Sequence, residues 1–140
     1  MNQLLIFGPV FAMMVLVSIV AVLTFRERVR QYKAMRMHPQ KAPTRKEFSA
    51  AMQDTRCSDN FQNLFEMPVM FYVACLGMYF TQTVGTAVLV LAWLYVLLRY
   101  AHSWVHCGPN KVMLRFRFFA MSFFALVSIW VTWGYALLGK

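Results

Sequence analysis

The sequence predicts an all-α integral membrane protein: a bundle of four transmembrane helices that forms a single domain over residues 1–140. Three observations predict this fold class. Hydrophobic residues make up 60% of the chain and charged residues only 14%, whereas soluble domains carry about a quarter charged residues. Uncharged stretches long enough to cross a bilayer recur along the chain. Basic residues are concentrated between these stretches, as in cytoplasmic loops.

The first span is predicted over residues 4–25, because about 20 apolar residues cross a bilayer. This apolar run is too long for a cleavable signal peptide, so we expect it to be retained. A basic loop is predicted over residues 26–58, with nine Lys or Arg residues. Within this loop, the spacing of Thr44 and Glu47 is typical of a capping box and predicts a short helix.

The next two spans come from one uncharged run. Residues 67–98 carry no charge, and these 32 residues are too many for one ordinary span. The polar sequence TQTVGT, residues 81–86, predicts a turn near the middle of the run. We therefore expect one helix over residues 59–80 and another over residues 86–105.

The fourth span is predicted over residues 115–138, which end in Trp and Tyr residues typical of an interfacial belt. Four spans place both chain termini on one side of the membrane. The basic residues lie in two loops, over residues 26–58 and over residues 106–114 with its flanks. The second loop is uncharged. The positive-inside rule therefore predicts that these two loops are cytoplasmic and that both termini lie outside.

Polar side chains recur at helical spacing at the predicted cytoplasmic ends of three spans. Each residue of a helix turns by about 100°, so residues three and four apart share a face. The residues that share such faces are Asp59, Gln62, Asn63 and Glu66 on the second span, Arg99, His102 and His106 on the third, and Arg115 on the fourth.

A charged side chain that faces lipid costs roughly 2.5–3.5 kcal/mol on the insertion scale. We therefore expect these faces to turn toward each other and form a polar pocket, with Glu66 among Arg99, Arg115 and first-loop arginines such as Arg30. Taken singly, Arg99 and Arg115 have an alternative interpretation as anchors that extend to the lipid headgroups. Glu66 also has an alternative interpretation, as a carboxylate at the start of a helix that interacts favourably with the helix dipole.

Two segments, NFQNLFEMP (residues 60–68) and RYAHSWVH (residues 99–106), resemble the MAPEG family, the membrane-associated proteins of eicosanoid and glutathione metabolism. The resemblance extends to the four spans and the long basic first loop. It implies a homotrimer of four-helix subunits, with glutathione bound between neighbouring subunits at the cytoplasmic side. The Asn-x-x-Glu-x-Pro pattern is similar to the prokaryotic branch, which implies a bacterial inner membrane.

The resemblance also implies which residues bind glutathione as a co-substrate: Asn63, Glu66, Arg99 and His102. Asn63 and Glu66 match the second-helix pair of the family, in which the Glu faces the amino end of glutathione. Arg99 and His102 match the Arg-x-x-His of the third helix. The polar pocket expected from the helix faces adds Arg30, a first-loop arginine, as a further glutathione-binding residue.

Two further residues are implied as catalytic, Arg115 and His106. Arg115 occupies the position of the arginine that the family associates with the glutathione sulfur, where a cation favours the reactive thiolate. His106 stands where many members carry a tyrosine, and a histidine at working pH suits a proton donor. The implied activity is that of a membrane glutathione transferase or peroxidase acting on hydrophobic electrophiles or peroxides.

The chain departs from the family at Asp59 and Gln62, one of which is usually an arginine, and at Phe116 and Phe119, where some members carry Ser or Tyr. These departures argue against a prostaglandin or leukotriene synthase. The missing second-helix arginine and the histidine at position 106 in place of tyrosine favour, as the alternative, a non-enzymatic membrane scaffold, a lipid-binding protein or an accessory subunit of a larger membrane complex. A proton-coupled exporter built around Glu66 is less favoured, because such carboxylates lie near the bilayer midplane.

The sequence gives no sign of a metal site. Cys57, Cys75 and Cys107 are widely separated and form no Cys-x-x-Cys pair, so we expect free, reduced thiols. The excess of basic residues lies in membrane loops rather than on a soluble basic face. We therefore expect membrane lipid and a hydrophobic small molecule as partners, and no nucleic acid.

Overall fold

The computed structural model describes residues 2–139, apart from the side chains of Pro39, Arg45 and Phe48, and these residues form helices and connections but no strand. Among these described residues, four helical segments are long and apolar enough to cross a membrane: Gln3–Ala34, Arg56–Phe80, Thr86–Cys107 and Val112–Leu138. The all-α prediction is therefore confirmed, and the chain is an integral, multi-pass membrane protein.

The first span is the helix α1, Phe7–Ala34, which follows a 3-10 turn at Gln3–Ile6. It extends well beyond the predicted span of residues 4–25 and takes up the first part of the predicted basic loop. Arg, Lys, Glu and Gln are good helix formers, so the helix continues where the apolar residues end.

The remainder of the basic loop contains the short helix α2, Arg45–Ala51. Its start carries the reciprocal contacts of a capping box. The Thr44 N–H donates to the Glu47 carboxylate at 3.1 Å, and the Glu47 N–H donates to the Thr44 hydroxyl at 3.3 Å. These contacts satisfy donors that the first turn of a helix leaves free.

The loop is fastened to α1 by Gln31, which is nearly buried. The Gln31 amide donates to the backbone oxygen of Asp54 at 2.6 Å, and its oxygen accepts from the N–H groups of Gln53 at 3.1 Å and Asp54 at 3.2 Å. One side chain thus supplies three hydrogen bonds to the segment that leads into the second span.

The second span is divided into two helices, α3 at Arg56–Asn63 and α4 at Met67–Phe80. The sequence, in contrast, predicts one continuous helix over residues 59–80. Pro68 explains the break, because its ring has no N–H and would collide with the carbonyl four residues earlier in a continuous helix. Proline is tolerated in the first turn, and Pro68 lies there in α4.

The third and fourth spans are α5, Thr86–Cys107, and α6, Val112–Leu138, which pack against each other along their lengths. α5 also contacts α1 and α3, and it carries the largest set of buried residues of any helix. Its buried Tyr95 stacks on Phe71 of α4, with ring centroids 4.6 Å apart. α5 is therefore the central helix of the bundle.

Hydrogen bonds between distant residues show that the helices alternate in direction. At one end, Val84 donates its N–H to the Gln3 side chain at 2.8 Å. At the other end, the Thr24 hydroxyl donates to the Cys57 carbonyl at 3.0 Å, and Arg56 donates to the Gly108 carbonyl at 2.6 Å. The start of α3, the end of α5 and the start of α6 therefore meet at one end of the bundle.

Candidate functional site

Arg99 of α5 is the largest fully buried side chain in the described structure, with 0% of its surface exposed. One terminal nitrogen, Nη2, donates to the Asn63 side-chain oxygen and to the Asn63 carbonyl at 3.4 Å. The Arg99 guanidinium carbon also lies 5.9 Å from the centre of the Phe119 ring, at the distance of a cation–π contact. Residues of α3 and α6 therefore contact this charge on α5.

The break before α4 helps to make the Asn63 carbonyl available to Arg99. Asn63 is the last residue of α3, and its carbonyl also accepts from the Glu66 N–H at 3.3 Å. A carbonyl at a helix end lacks its usual partner four residues on and must be satisfied otherwise. Pro68 thus contributes indirectly to the position of Arg99.

A second contact fixes the register between α3 and α5. Asn60, which is fully buried, accepts a hydrogen bond from the Ser103 hydroxyl at 3.4 Å. Asn60 precedes Asn63 by one turn, and Ser103 follows Arg99 by one turn. The two helices run antiparallel, so these two pairs lie side by side.

His102 and His106 follow Arg99 on the same face of α5, and both are buried. Their rings lie edge to face with centroids 5.4 Å apart. The Nδ1 atom of His102 lies 3.1 Å from the carbonyl oxygen of Arg115, in hydrogen-bonding range. This contact links the third span to the start of the fourth.

Arg115 lies in the first turn of α6 and is half-buried. Its Nη1 donates to the side-chain oxygen of Asn110 at 2.8 Å. Asn110 has a positive φ of 47°, which asparagine adopts more readily than most residues. The turn between α5 and α6 therefore positions the arginine.

These side chains surround one cavity of about 240 Å³ between α3, α5 and α6. Its lining residues are Asn63, His102, His106, Val112, Arg115, Phe116 and Phe119. Arg99 lies beside it through its contacts with Asn63 and Phe119. Five of the seven residues predicted from the sequence thus meet at one place: Asn63, Arg99, His102, His106 and Arg115.

Several polar atoms at this cavity lack a hydrogen-bond partner within the part of the chain that the structure describes. They are Nε and Nη1 of Arg99, Nε2 of His102 and Nδ1 of His106. A buried charged group that is left without partners costs several kcal/mol. The arrangement suits an anionic ligand, which would accept hydrogen bonds from the guanidinium.

The other two predicted site residues lie apart from the cavity walls. Glu66 is exposed and accepts from Gln62 at 3.3 Å, because the break between α3 and α4 turns it to the surface. Arg30 is exposed, forms an ion pair with Glu27 at 2.8 Å, and lines a different cavity near the start of α3. Within one protomer, neither side chain lines the pocket as expected.

Sequence reasoning missed the roles of Asn60, Ser103 and Asn110. Asn60 and Asn63 are three residues apart, and this spacing puts two amides on one helix face. The pattern could have indicated that both side chains contact the neighbouring helix. Asn110 follows Gly108-Pro109, a turn signal, but its contact with Arg115 depends on how α6 starts.

An antiparallel bundle of four membrane-spanning helices, with a cavity lined by arginine and histidine at one end, defines a multi-pass α-helical membrane protein with an internal polar site. The model of the MAPEG family matches residues 6–135, and the chain belongs to this family. The resemblance predicted from the two segments is therefore confirmed. No curated protein and no solved structure matches the sequence. The family generally uses glutathione, and membership is consistent with glutathione-related transferase or peroxidase roles in the membrane.

Proposed function

We propose that the protein is a membrane glutathione-dependent transferase or peroxidase that acts on hydrophobic electrophiles. The observation that carries this proposal is the buried Arg99, whose Nε and Nη1 have no partner among the described residues, beside a cavity that Arg115 also lines. A small molecule with several anionic groups would satisfy both arginines, and glutathione has two carboxylates and a thiol.

The guanidinium of Arg99 suits a glutathione carboxylate, because its planar fork makes two parallel hydrogen bonds to such a group. Asn63 holds Arg99 by one nitrogen and leaves the other two free for the ligand. His102, which is buried next to Arg99, donates from Nδ1 to the Arg115 carbonyl, so its neutral ring offers Nε2 as an acceptor to an N–H or S–H group of the ligand. The carboxylate would thus be bound where burial makes charge-assisted hydrogen bonds strong.

Arg115 would stabilise the glutathione sulfur as a thiolate, since a nearby cation favours the charged, nucleophilic form. With an electrophilic carbon, the thiolate forms a new carbon–sulfur bond and the leaving group departs with the displaced electron pair. With a hydroperoxide, it takes the outer oxygen while the oxygen–oxygen bond breaks. The resulting sulfenic acid reacts with a second glutathione to give a disulfide and water. His106 would supply the proton to the departing alkoxide.

Glu66 and Arg30 would act across a subunit boundary. Both are exposed in the single protomer and lie outside the Arg99 cavity. In a homotrimer, an exposed residue of one subunit can complete the site of its neighbour, where Glu66 would pair with the glutathione ammonium and Arg30 with a carboxylate. The basic residues around the site end favour a cytoplasmic location, with both termini outside, in a bacterial inner membrane.

The test is the ultraviolet difference spectrum of the purified protein on addition of glutathione, in the thiolate absorption band. We expect a thiolate signal from the wild type and its loss in Arg115→Ala, with glutathione binding retained by calorimetry. Arg117→Ala, which changes an exposed arginine two residues away, is the matched control and should keep the signal. Full transferase or peroxidase activity in Arg115→Ala would rule out a mechanism in which Arg115 stabilises the thiolate.

One observation favours the alternative of a non-enzymatic lipid-binding scaffold or accessory subunit. An apolar groove of about 530 Å³ lies between α1 and α5, on residues that include Leu16, Ile19, Val20 and Trp104. A groove of this kind suits an acyl chain. Absence of the thiolate signal and of calorimetric glutathione binding, together with lipid retained through purification, would favour this function.

A further inference from the structure

Two of the three cysteines lie next to each other at the site end of the bundle, although they are far apart in the sequence. Cys57 is in the first turn of α3 and Cys107 is the last residue of α5, and both side chains line the same cavity. Both are half-buried, whereas Cys75 is buried in the core. Their proximity cannot be read from the spacing of the cysteines along the chain.

The backbones on both sides of this pair are held in place. Arg56, which precedes Cys57, donates to the carbonyl of Gly108, which follows Cys107, at 2.6 Å. The Cys57 carbonyl accepts from the Thr24 hydroxyl of α1 at 3.0 Å. The helix ends that carry the two thiols are thus tied directly to each other.

Both thiols line a cavity of about 450 Å³ that is separate from the Arg99 cavity. Its other lining residues are Leu23, Arg26, Glu27 and Arg30, all from α1. Glu27 pairs with Arg30 at 2.8 Å, so the exposed Arg26 gives this wall a net positive charge, which raises the local concentration of anionic reactants. The cavity therefore offers two neighbouring thiols to a small, negatively charged molecule.

We propose that Cys57 and Cys107 form a dithiol site that is converted to an intramolecular disulfide by a low-molecular-weight disulfide bearing carboxylates. The two thiols take no part in the proposed glutathione site, which shares only Arg30 with this cavity, and they would add a redox-controlled link between α3 and α5. The link would lie one residue from His106 and would tie the start of α3 to the end of α5.

The reaction proceeds in two exchanges. Cys107 is the attacking residue, because the Asn60 amide donates to its Sγ at 3.5 Å and solvates negative charge on the sulfur. Its thiolate attacks one sulfur of the small disulfide, forms a mixed disulfide and releases the first small thiol, which takes up the proton. The Cys57 sulfur then attacks Cys107, closes the protein disulfide and releases the second small thiol with the Cys57 proton. The protein loses two electrons and two protons, and the small disulfide gains them.

The test uses the reduced, full-length protein in phospholipid nanodiscs, with glutathione disulfide as the probe. After incubation, the thiols that remain free are counted with a maleimide reagent of high mass, and the disulfides are located by peptide mass spectrometry. We expect Cys57 and Cys107 to lose reactivity together and to appear in one cross-linked peptide. Cys57→Ser should accumulate the mixed disulfide at Cys107, because the second exchange is then blocked.

Two variants serve as controls. Cys75→Ala should behave like the wild type, since that thiol lies in the core. Arg115→Ala should also oxidise normally, so a failure of the glutathione site and a failure of the dithiol site can be told apart.

A charge variant tests the proposed class of reactant. Arg26→Gln should slow oxidation by glutathione disulfide by about threefold or more and leave oxidation by the uncharged hydroxyethyl disulfide unchanged. An equal effect on both disulfides would overturn the assignment to an anionic reactant. Persistent labelling of both thiols, a mixed disulfide that never closes in the wild type, or closure by a lipid hydroperoxide alone would overturn the proposal.

Discussion

The Nη2 atom of Arg99 on α5 donates to both the side-chain oxygen and the backbone oxygen of Asn63, the last residue of α3. This pair joins the second and third spans at the wall of the candidate site. It also orients the guanidinium, because its remaining N–H groups then have a fixed direction relative to the cavity. The position of the buried charge therefore depends on one asparagine.

Asn63→Ala should destabilise the protein by about 1.5–3 kcal/mol, because it removes a hydrogen bond to a buried charged group. Glutathione affinity should fall as well, by about tenfold, because Arg99 would lose its orientation. Thermal unfolding and calorimetry in detergent measure the two effects. Gln62→Ala, which changes the exposed neighbouring amide, is the control for the stability measurement. Equal behaviour of the two variants would show that the Arg99–Asn63 pair contributes nothing.

Gln31→Leu should release the segment that leads into the second span, since three hydrogen bonds to Gln53 and Asp54 would be lost. Because the freed backbone groups can reach water, we expect a loss of about 1–3 kcal/mol. Limited trypsin digestion should cleave the basic loop faster. Gln53→Ala removes only an exposed side chain and should leave the digestion rate unchanged. If trypsin cleaved Gln31→Leu no faster than the wild type, the hydrogen bonds of Gln31 would not hold this segment in place.

Gly77→Ala should disturb the end of the bundle opposite the site, because a Cβ at this position would overlap the Trp133 indole. That ring cannot move freely, since its Nε1 donates to the Thr81 hydroxyl at 3.1 Å. Overpacking costs about 1–3 kcal/mol, which outweighs the gain of up to about 1 kcal/mol from replacing a helical glycine. A shift in tryptophan emission and a lower melting temperature report the change.

The matched control for this prediction is Gly134→Ala, at a helical glycine whose Cβ would meet no atom within 4 Å. It should be neutral or slightly stabilising, by up to about 1 kcal/mol. If both alanine variants were stabilising, the close approach of Trp133 to Gly77 would not constrain the fold.

Asp54 should give the protein an acid-dependent loss of stability. The Arg56 side chain donates to its carboxylate at 2.6 and 2.9 Å, and this holds the pKa of Asp54 below its ordinary value. A lowered pKa in the folded state stabilises the fold above the ordinary carboxyl pKa of about 3.9. The contribution disappears as the pH falls from there through the folded-state pKa.

Melting temperatures of the wild type and Asp54→Asn, measured from about pH 7 down to about pH 2, test this prediction. The variant should be less stable at neutral pH by no more than about 1 kcal/mol, because the ion pair is partly exposed. The difference should vanish at the acid end. Glu47→Gln should retain the acid-dependent step that Asp54→Asn loses. A constant difference across the whole range would argue against the pair.

The fold class was predictable because a bilayer imposes simple requirements on a sequence. Length and hydropathy identified the spans, and the turn at residues 81–86 separated the second from the third. The span ends were less accurate, since α1 continues to Ala34 and α3 begins at Arg56. Polar helix formers extend a helix beyond the apolar region without any change that hydropathy detects.

The candidate site was predictable in part. Helical spacing placed Arg99, His102 and His106 on one face, and the structure brings this face together with Asn63 and Arg115. The same reasoning grouped Glu66 with them, but spacing assumes a continuous helix. Because the helix is interrupted before Pro68, the Glu66 side chain lies at the surface rather than on the face that its spacing indicates.

The sequence by itself determined that the chain crosses the membrane, how many spans it has and which of its polar residues lie at span ends. These properties depend on local composition, because lipid excludes charge from any long apolar segment. Only the tertiary structure decided which of those residues meet. Helix rotation, the break in the second span and the approach of Cys57 to Cys107 arise from packing between distant segments, which spacing along the chain does not encode.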